Sequence, residues 1–467
     1  MPDDSGGSVN RREFLTIGGA VLGGIAAGTT VTAAESTEQF IVKTGGVDMA
    51  DLRASVDEVV HDMDDTLGYA VVRGAESDVE THTSSFEPDI EYELDLPSTR
   101  ADVPDARDED VETLDTDALL YDAQWDKQAQ DIPAVHDTTT GEGTRVSIVD
   151  TGIGTFPEDQ SFLVDLITPD DDVPHPDLNV NLDLSTSVVD DGTGSDTGFH
   201  GTAVAGVVAA QGEGILGTAP DTELVSVRVF EGGFGGTTFG TVIAAIDYSV
   251  DIDSDVANLS LGAYPVPRQG IGEFYGGVLN KATARANSNG TLLVASAGND
   301  GADLQDDGGV ISLPNEAANT MSISATAPDG FDPIFGFFGP DEPPETPTTY
   351  TNYGTNAVDV SAPGGDLRSL SNPYDLVLTT SPPLNVLLPY IYISGTSFSA
   401  PQVAGAAALV RSVDPGAPPS EVQSVLGRTA VDPKDVPGDK AFHGRGFLDP
   451  GDAVEAASGG GGGEKGN

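Results

Sequence analysis

The chain has 467 residues, no cysteine, and 76 acidic against 20 basic side chains, for a formal net charge of −56. These values exclude a disulfide framework, thiol catalysis and lipid attachment through a cysteine, and they make nucleic acid an unsuitable partner. The length leaves room for two domains with tails.

Asn10-Arg11-Arg12-Glu13-Phe14-Leu15 precedes a mildly apolar run, Thr16 to Val31, rich in Gly and Ala. Paired arginines before such a run predict a twin-arginine export signal over 1–34, cut near Ala33-Ala34. The run is short and glycine-rich for a membrane span. Residues 36–112 read as a small α+β unit. It has a strand at Gln39–Lys43, helical spacing of Leu52, Val56, Val59 and Val60 over Met49–Met63, and strands at Leu67–Val72 and Ile90–Leu94. Pro97 to Asp115 is charged and aperiodic, which predicts a linker.

From 115 to 458 strands alternate with helices. Strands are expected at Val146–Val149, Leu224–Val229, Val256–Ser260 and Thr291–Asn299, and helices at Phe239–Val250 and Phe274–Asn287. That alternation predicts an α/β fold, a parallel sheet with helices on both faces. An acidic insertion over 155–174 reads as a surface loop near the cleft, and Asp170-Asp171-Asp172 and Asp190-Asp191 as solvated faces. A short helix follows Pro450, and 459–467 is a flexible Gly-rich tail.

Three segments carry chemistry. The strand Val146–Val149 ends on Asp150-Thr151-Gly152, a small-residue helix opens on His200, and a buried helix through Val403–Val410 opens on Ser397, with Pro401 expected in its first turn. A serine hydroxyl needs a neighbouring base, imidazole supplies one near neutral pH, and a carboxylate holds the imidazole's tautomer. The positive end of the Ser397 helix favours negative charge forming there. Asn299, at the end of a buried strand, has an amide suited to an oxyanion. A second Asp-Thr-Gly at Asp196-Thr197-Gly198 raises the pepsin-like alternative, which needs one copy in each of two lobes. This copy lies too close to the first, and no apolar strand leads into it.

On these segments, together with Gly217-Thr218-Ala219-Pro220, Ala257–Gly262, Asn352-Tyr353-Gly354 and Ser361–Gly364, residues 115–458 resemble the subtilisin family of serine proteases, in particular its haloarchaeal, halolysin-like members. The resemblance implies that Ser397 is the nucleophile, His200 the base, Asp150 its partner, and Asn299 with the Ser397 N–H the oxyanion donors. It implies a substrate-pairing edge at Ser260, Leu261 and Gly262, a specificity-pocket wall at Ser296, Ala297 and Gly298, and a structural calcium ligand at Asp177, with no catalytic cofactor. By the same resemblance 36–112 is an inhibitory propeptide that templates folding and then blocks the cleft. Gln402 stands where many relatives have histidine and reads as a tolerated helix residue; Phe398 replaces a common Met. His61, His82, His136 and His443 need no special role.

The expected protein is an exported, monomeric serine endopeptidase of broad specificity, made as a zymogen, that acts on protein or peptide substrates with an apolar or aromatic residue before the cut. The charge reads as salt adaptation, because at molar salt the Debye length falls to roughly 3 Å and self-repulsion is screened. The alternatives are a catalytically silent scaffold of the same fold, which has no need of the full set of four residues, and a dedicated processing protease, favoured only by the acidic insertion.

Overall fold

The computed structural model describes residues 39–93, 100–102, 118–156, 173–189, 192–196, 198–231, 236–269, 271–306, 308–333, 342–366, 368, 372–382 and 389–459. The export signal, Asp170-Asp171-Asp172, Asp190-Asp191 and most of the Gly-rich tail lie outside the described residues.

A seven-stranded sheet forms the centre. From edge to edge its strands are Thr186–Ser187, Glu223–Arg228, Arg145–Asp150, Val256–Leu259, Leu292–Ser296, Thr320–Thr326 and Val360–Pro363. Every pairing in it is parallel. Neighbouring residues of a strand point to opposite faces, and both faces are covered. Leu292 and Val294 join one core with the helices His200–Ala209 and Thr396–Val413. Leu293 and Ala295 join another with Phe239–Asp251 and Ile271–Asn289. This is the predicted α/β architecture. It explains why the strand segments read as continuous apolar runs.

The Ser397 helix is buried along almost its whole length, from Thr396 to Arg411. It starts at Thr396, so Pro401 sits in the helix interior and not in the first turn as expected. The N–H that Pro401 lacks would have bonded to the Ser397 carbonyl.

The N-terminal unit is a four-stranded antiparallel sheet in the order Glu58–Met63, Tyr69–Arg73, Gln39–Lys43, Phe86–Pro88. The expected single helix over Met49–Met63 is a correction. The helix ends at Ser55, and Glu58–Met63 is a strand whose Val59 pairs with Val72. Cross-strand pairing of β-branched residues outweighs a helical spacing that a short segment also shows.

The unit lays Ile41, Met63, Leu67, Tyr69 and Val71 into the core formed with Phe239–Asp251 and Ile271–Asn289. Polar contacts join the same surfaces. Thr66 Oγ1 donates to Asp247 Oδ2 at 2.7 Å, and Lys281 Nζ donates to the Leu67 carbonyl at 3.0 Å. The Asp89 carboxylate accepts from the Gly240 N–H at 2.8 Å and so caps the helix that starts at Phe239. Beyond this unit, Glu91–Glu93 pairs antiparallel with Gly236–Thr238, and Arg100–Asp102 pairs antiparallel with Tyr390–Ile393. Among the described residues no helix is long and apolar enough to cross a membrane.

Candidate active site

In an open parallel sheet, functional groups collect where strands end at their carboxyl side. Asp150 ends the Arg145–Asp150 strand, and Asn299 follows the Leu292–Ser296 strand by three residues. His200 and Ser397 open the two helices packed on that face. The sheet thus brings together four side chains that lie up to 247 positions apart in sequence.

His200 Nδ1 lies 2.8 Å from Asp150 Oδ1, both residues being buried. The same Oδ1 accepts from the Thr151 N–H at 2.7 Å, while Asp150 Oδ2 is buried with no hydrogen-bond partner among the described residues. Phe398 packs edge-on against the His200 ring, with centroids 5.4 Å apart and an interplanar angle of 60°. The exchange from Met therefore places an aromatic ring between the serine's helix and the histidine. The Ser397 hydroxyl donates to the Ser260 carbonyl at 3.3 Å. Without a substrate, a nucleophile's bond to its base is commonly long or misaligned.

Asn299 is oriented by its acceptor. Oδ1 takes the Thr396 N–H at 2.9 Å and the Thr396 hydroxyl at 2.8 Å, which leaves Nδ2 as the donor for a ligand. The turn carrying Asn299 is pinned by Asn352, fully buried, a motif residue to which sequence reasoning gave no role. Asn352 Oδ1 accepts from the N–H groups of Asp300 and Ala302, and Nδ2 donates to the Ala297 carbonyl at 3.0 Å. Gly298 has φ of 101°, and a Cβ there would lie 2.4 Å from Asn352 Nδ2, so both conformation and space demand glycine.

Ser260, Leu261 and Gly262 follow the Val256–Leu259 strand, and Ser296, Ala297 and Gly298 lead to Asn299. Beside the first of these edges lies an apolar pocket lined by Phe230, Phe239, Val242, Leu261, Leu279 and Pro314. Its lining comes from five separate segments, so only the spacing of Phe239 and Val242 on one helix face hinted at it.

Asp177 does not fit a calcium site. Its Oδ1 accepts from the Glu213 N–H at 2.9 Å. Its Oδ2 accepts from the N–H groups of Gly214 and Ile215 and from the Tyr390 hydroxyl at 3.1 Å. Four donors converge on the carboxylate where a cation would need its lone pairs. Among the described residues no group of three or more His, Cys, Asp and Glu side chains is placed to hold a metal ion.

Gln402 has a larger part than tolerance. It is fully buried, donates to Asp126 Oδ2 at 2.8 Å and accepts from Lys127 Nζ at 2.6 Å and Gln130 Nε2 at 3.1 Å. Lys127 also donates to the Val207 carbonyl and the Thr218 hydroxyl, and its ammonium lies 3.4 Å from Asp126. This network ties the Trp125–Ala129 helix to the helix of Ser397.

The subtilase family profile matches residues 141–447. The chain is a subtilase. Its sequence is 31% identical over 339 residues to an alkaline protease of Alkalihalobacillus alcalophilus, covering 69% of this chain and 72% of that protein. Subtilisin Savinase of Lederbergia lenta is 31% identical over 310 residues, covering 66% of this subtilase and 91% of the relative. Among solved structures, a protease of Pseudoalteromonas arctica superposes with TM-score 0.55 at 27% identity, covering 74% of this chain and all of that one. The epidermin leader peptide processing protease of Staphylococcus aureus superposes with TM-score 0.66 at 21% identity, covering 90% and 98%, which is a likeness of fold. This subtilase is accordingly a serine endopeptidase that hydrolyses peptide bonds.

Proposed function

We propose that the protein is an exported, salt-adapted endopeptidase of broad specificity, made as a zymogen. Ser397 Oγ attacks the peptide carbonyl while His200 Nε2 takes its proton. The tetrahedral oxyanion is met by Asn299 Nδ2 and the Ser397 N–H. His200 then returns the proton to the leaving amine, and the acyl ester on Ser397 is hydrolysed by a water that His200 activates. Asp150 orients His200 throughout and stabilises its cationic form. The observation carrying this reading is the buried Asp150–His200 bond of 2.8 Å, on helices and strands that bring Ser397 and Asn299 to the same end of the sheet.

The zymogen reading rests on the path of the N-terminal segment. The chain pairs with Gly236–Thr238, just before the Phe239–Asp251 helix, through Glu91–Glu93, and with Tyr390–Ile393, just before the Ser397 helix, through Arg100–Asp102. Strand addition is how an extended peptide crosses a cleft. The maturation bond is placed in the linker expected from Pro97 to Asp115. Export rests on Arg11-Arg12 with its following run and on the naming of a relative, from Xanthomonas campestris, as an extracellular protease.

A mass-spectrometric time course in molar salt tests the proposal. Wild type is expected to lose its N-terminal unit and then digest casein, while Ser397→Ala stays intact and inert. Equal persistence of both folded proteins would refute self-maturation and favour a silent scaffold. Maturation without casein digestion would favour a dedicated processing protease.

A further inference from the structure

Asp196, from the second Asp-Thr-Gly set aside with the pepsin-like reading, lies against the first. The half-buried Asp196 carboxylate lies between the Asp150 turn and the start of the His200 helix. Oδ1 accepts from the Thr151 hydroxyl at 2.8 Å and the Gly198 N–H at 2.8 Å. Oδ2 accepts from the Thr202 N–H at 3.1 Å and from the Thr202 hydroxyl. Thr151 is the residue whose N–H holds Asp150 Oδ1, and its Oγ1 also accepts from the Gly201 N–H at 2.9 Å. Thr202 in turn accepts the Gly154 N–H at 2.8 Å.

The backbone permits nothing looser. The Asp196 N–H bonds to the Ile153 carbonyl, and the Ile153 N–H to the Gly194 carbonyl. Gly152, at φ 112°, has the Asp196 Cα 2.7 Å from where its Cβ would be, and a Cβ on Gly201 would meet the Gly152 carbonyl at 2.1 Å. The turn after Asp150 and the first turn of the His200 helix therefore touch each other and share one carboxylate. Burial raises the Asp196 pKa, and the bonds from Thr202, Gly198 and Thr151 oppose that rise.

We infer that Asp196 is a positioning residue, which sets the Asp150–His200 alignment by gripping Thr151 on one side and Thr202 on the other. The inference rests on the serine-peptidase reading of the site. Asp196 touches none of the reacting atoms, so its effect passes through Thr151 to Asp150 and through the helix start to His200. Small misplacement of a catalytic pair is costly to rate while leaving distant substrate contacts in place.

The test is steady-state hydrolysis of a chromogenic peptide in molar salt by Asp196→Asn. Rates are counted per active site by titration with a serine-directed phosphonate. The expected result is kcat per titrated site lower by about 10–100-fold, KM within about twofold, and an acid limb of the kcat/KM profile moved to lower pH, because a poorly aligned Asp150 supports His200 protonation less. Thr151→Val should reproduce the pattern and Thr151→Ser should spare it, which keeps the test valid if Asp196→Asn folds poorly. Unchanged kcat per site and an unchanged acid limb in Asp196→Asn and Thr151→Val would overturn the inference, as would a loss confined to the number of titratable sites. If wild type neither cleaves peptide nor takes the phosphonate, the serine-peptidase reading beneath it fails instead.

Discussion

Ser260 and Ser397 hold each other in both directions. The Ser260 hydroxyl donates to the Ser397 carbonyl at 2.7 Å, and the Ser397 hydroxyl donates to the Ser260 carbonyl at 3.3 Å. The first bond fills the vacancy left by Pro401, whose missing N–H would otherwise have served that carbonyl inside the helix. Asn258 Nδ2 supports it by donating to Ser260 Oγ at 2.8 Å.

Ser260→Ala should therefore strand a buried carbonyl next to the nucleophile, lowering stability by about 1–3 kcal/mol. Pro401→Ala restores a helical N–H to the same carbonyl. The double variant is expected to be more stable than the sum of the two single changes predicts, with a coupling of about 1–2 kcal/mol measured by urea denaturation. Strict additivity would count against the assignment.

Asp89 joins the N-terminal unit to the helix starting at Phe239. Removing a capping carboxylate costs about 1 kcal/mol, and more where it is partly buried. In Asp89→Ala, activity should appear sooner after self-cleavage, with the lag shortened by about five- to tenfold. Asn also caps helices, so Asp89→Asn should fall between the two. An unchanged lag in Asp89→Ala would remove the cap from the inhibitory contact.

Lys127 gives a pH signature. Burial lowers its ammonium pKa from 10.5 to about 8, against the pull of Asp126. Below pH 8 both folded and unfolded chains carry the proton, and the cost of burying the charge is fully present. Between pH 8 and 10.5 the folded protein releases the proton while the unfolded chain keeps it, so stability rises with pH. Relative to Lys127→Met, the urea midpoint of wild type should improve on going from pH 7.5 to 10. A constant difference would place the Lys127 pKa near its ordinary value.

With 76 acids against 20 bases, the proposed salt adaptation predicts salt-dependent activity. Activity is expected at molar salt and should decay within hours in dilute buffer, as unscreened repulsion loosens the compact state. Magnesium-free, calcium-free sodium chloride should protect as well as salt containing calcium does. Full activity kept for hours in dilute buffer would refute the adaptation.

Much of the fold was legible because a parallel sheet is buried on both faces. Its strands then appear as short apolar runs between helices, as at Glu223–Arg228 and Leu292–Ser296. Asp150, His200, Asn299 and Ser397 were legible because each stands at the end of such an element. The Glu58–Met63 strand was not, since six residues with apolar Val59, Val60 and Met63 satisfy a helical spacing as well, and only Tyr69–Arg73 alongside decides. Pro401 was misplaced because a helix boundary depends on the N-cap, here Gly395 at φ 150°, and not on the proline.

The sequence by itself determined the fold class, the family and the four candidate groups at the ends of its elements, because these depend on local period, element order and residue type. Tertiary structure decided what those groups rest on. Ser260 against the Ser397 carbonyl, Gln402 between Asp126 and Lys127, and Asp196 between Thr151 and Thr202 each join segments far apart in the chain or on different elements. It also decided that four donors surround Asp177 where calcium was expected. A buried polar atom must find a partner wherever packing places one, and no local pattern records which partner that is.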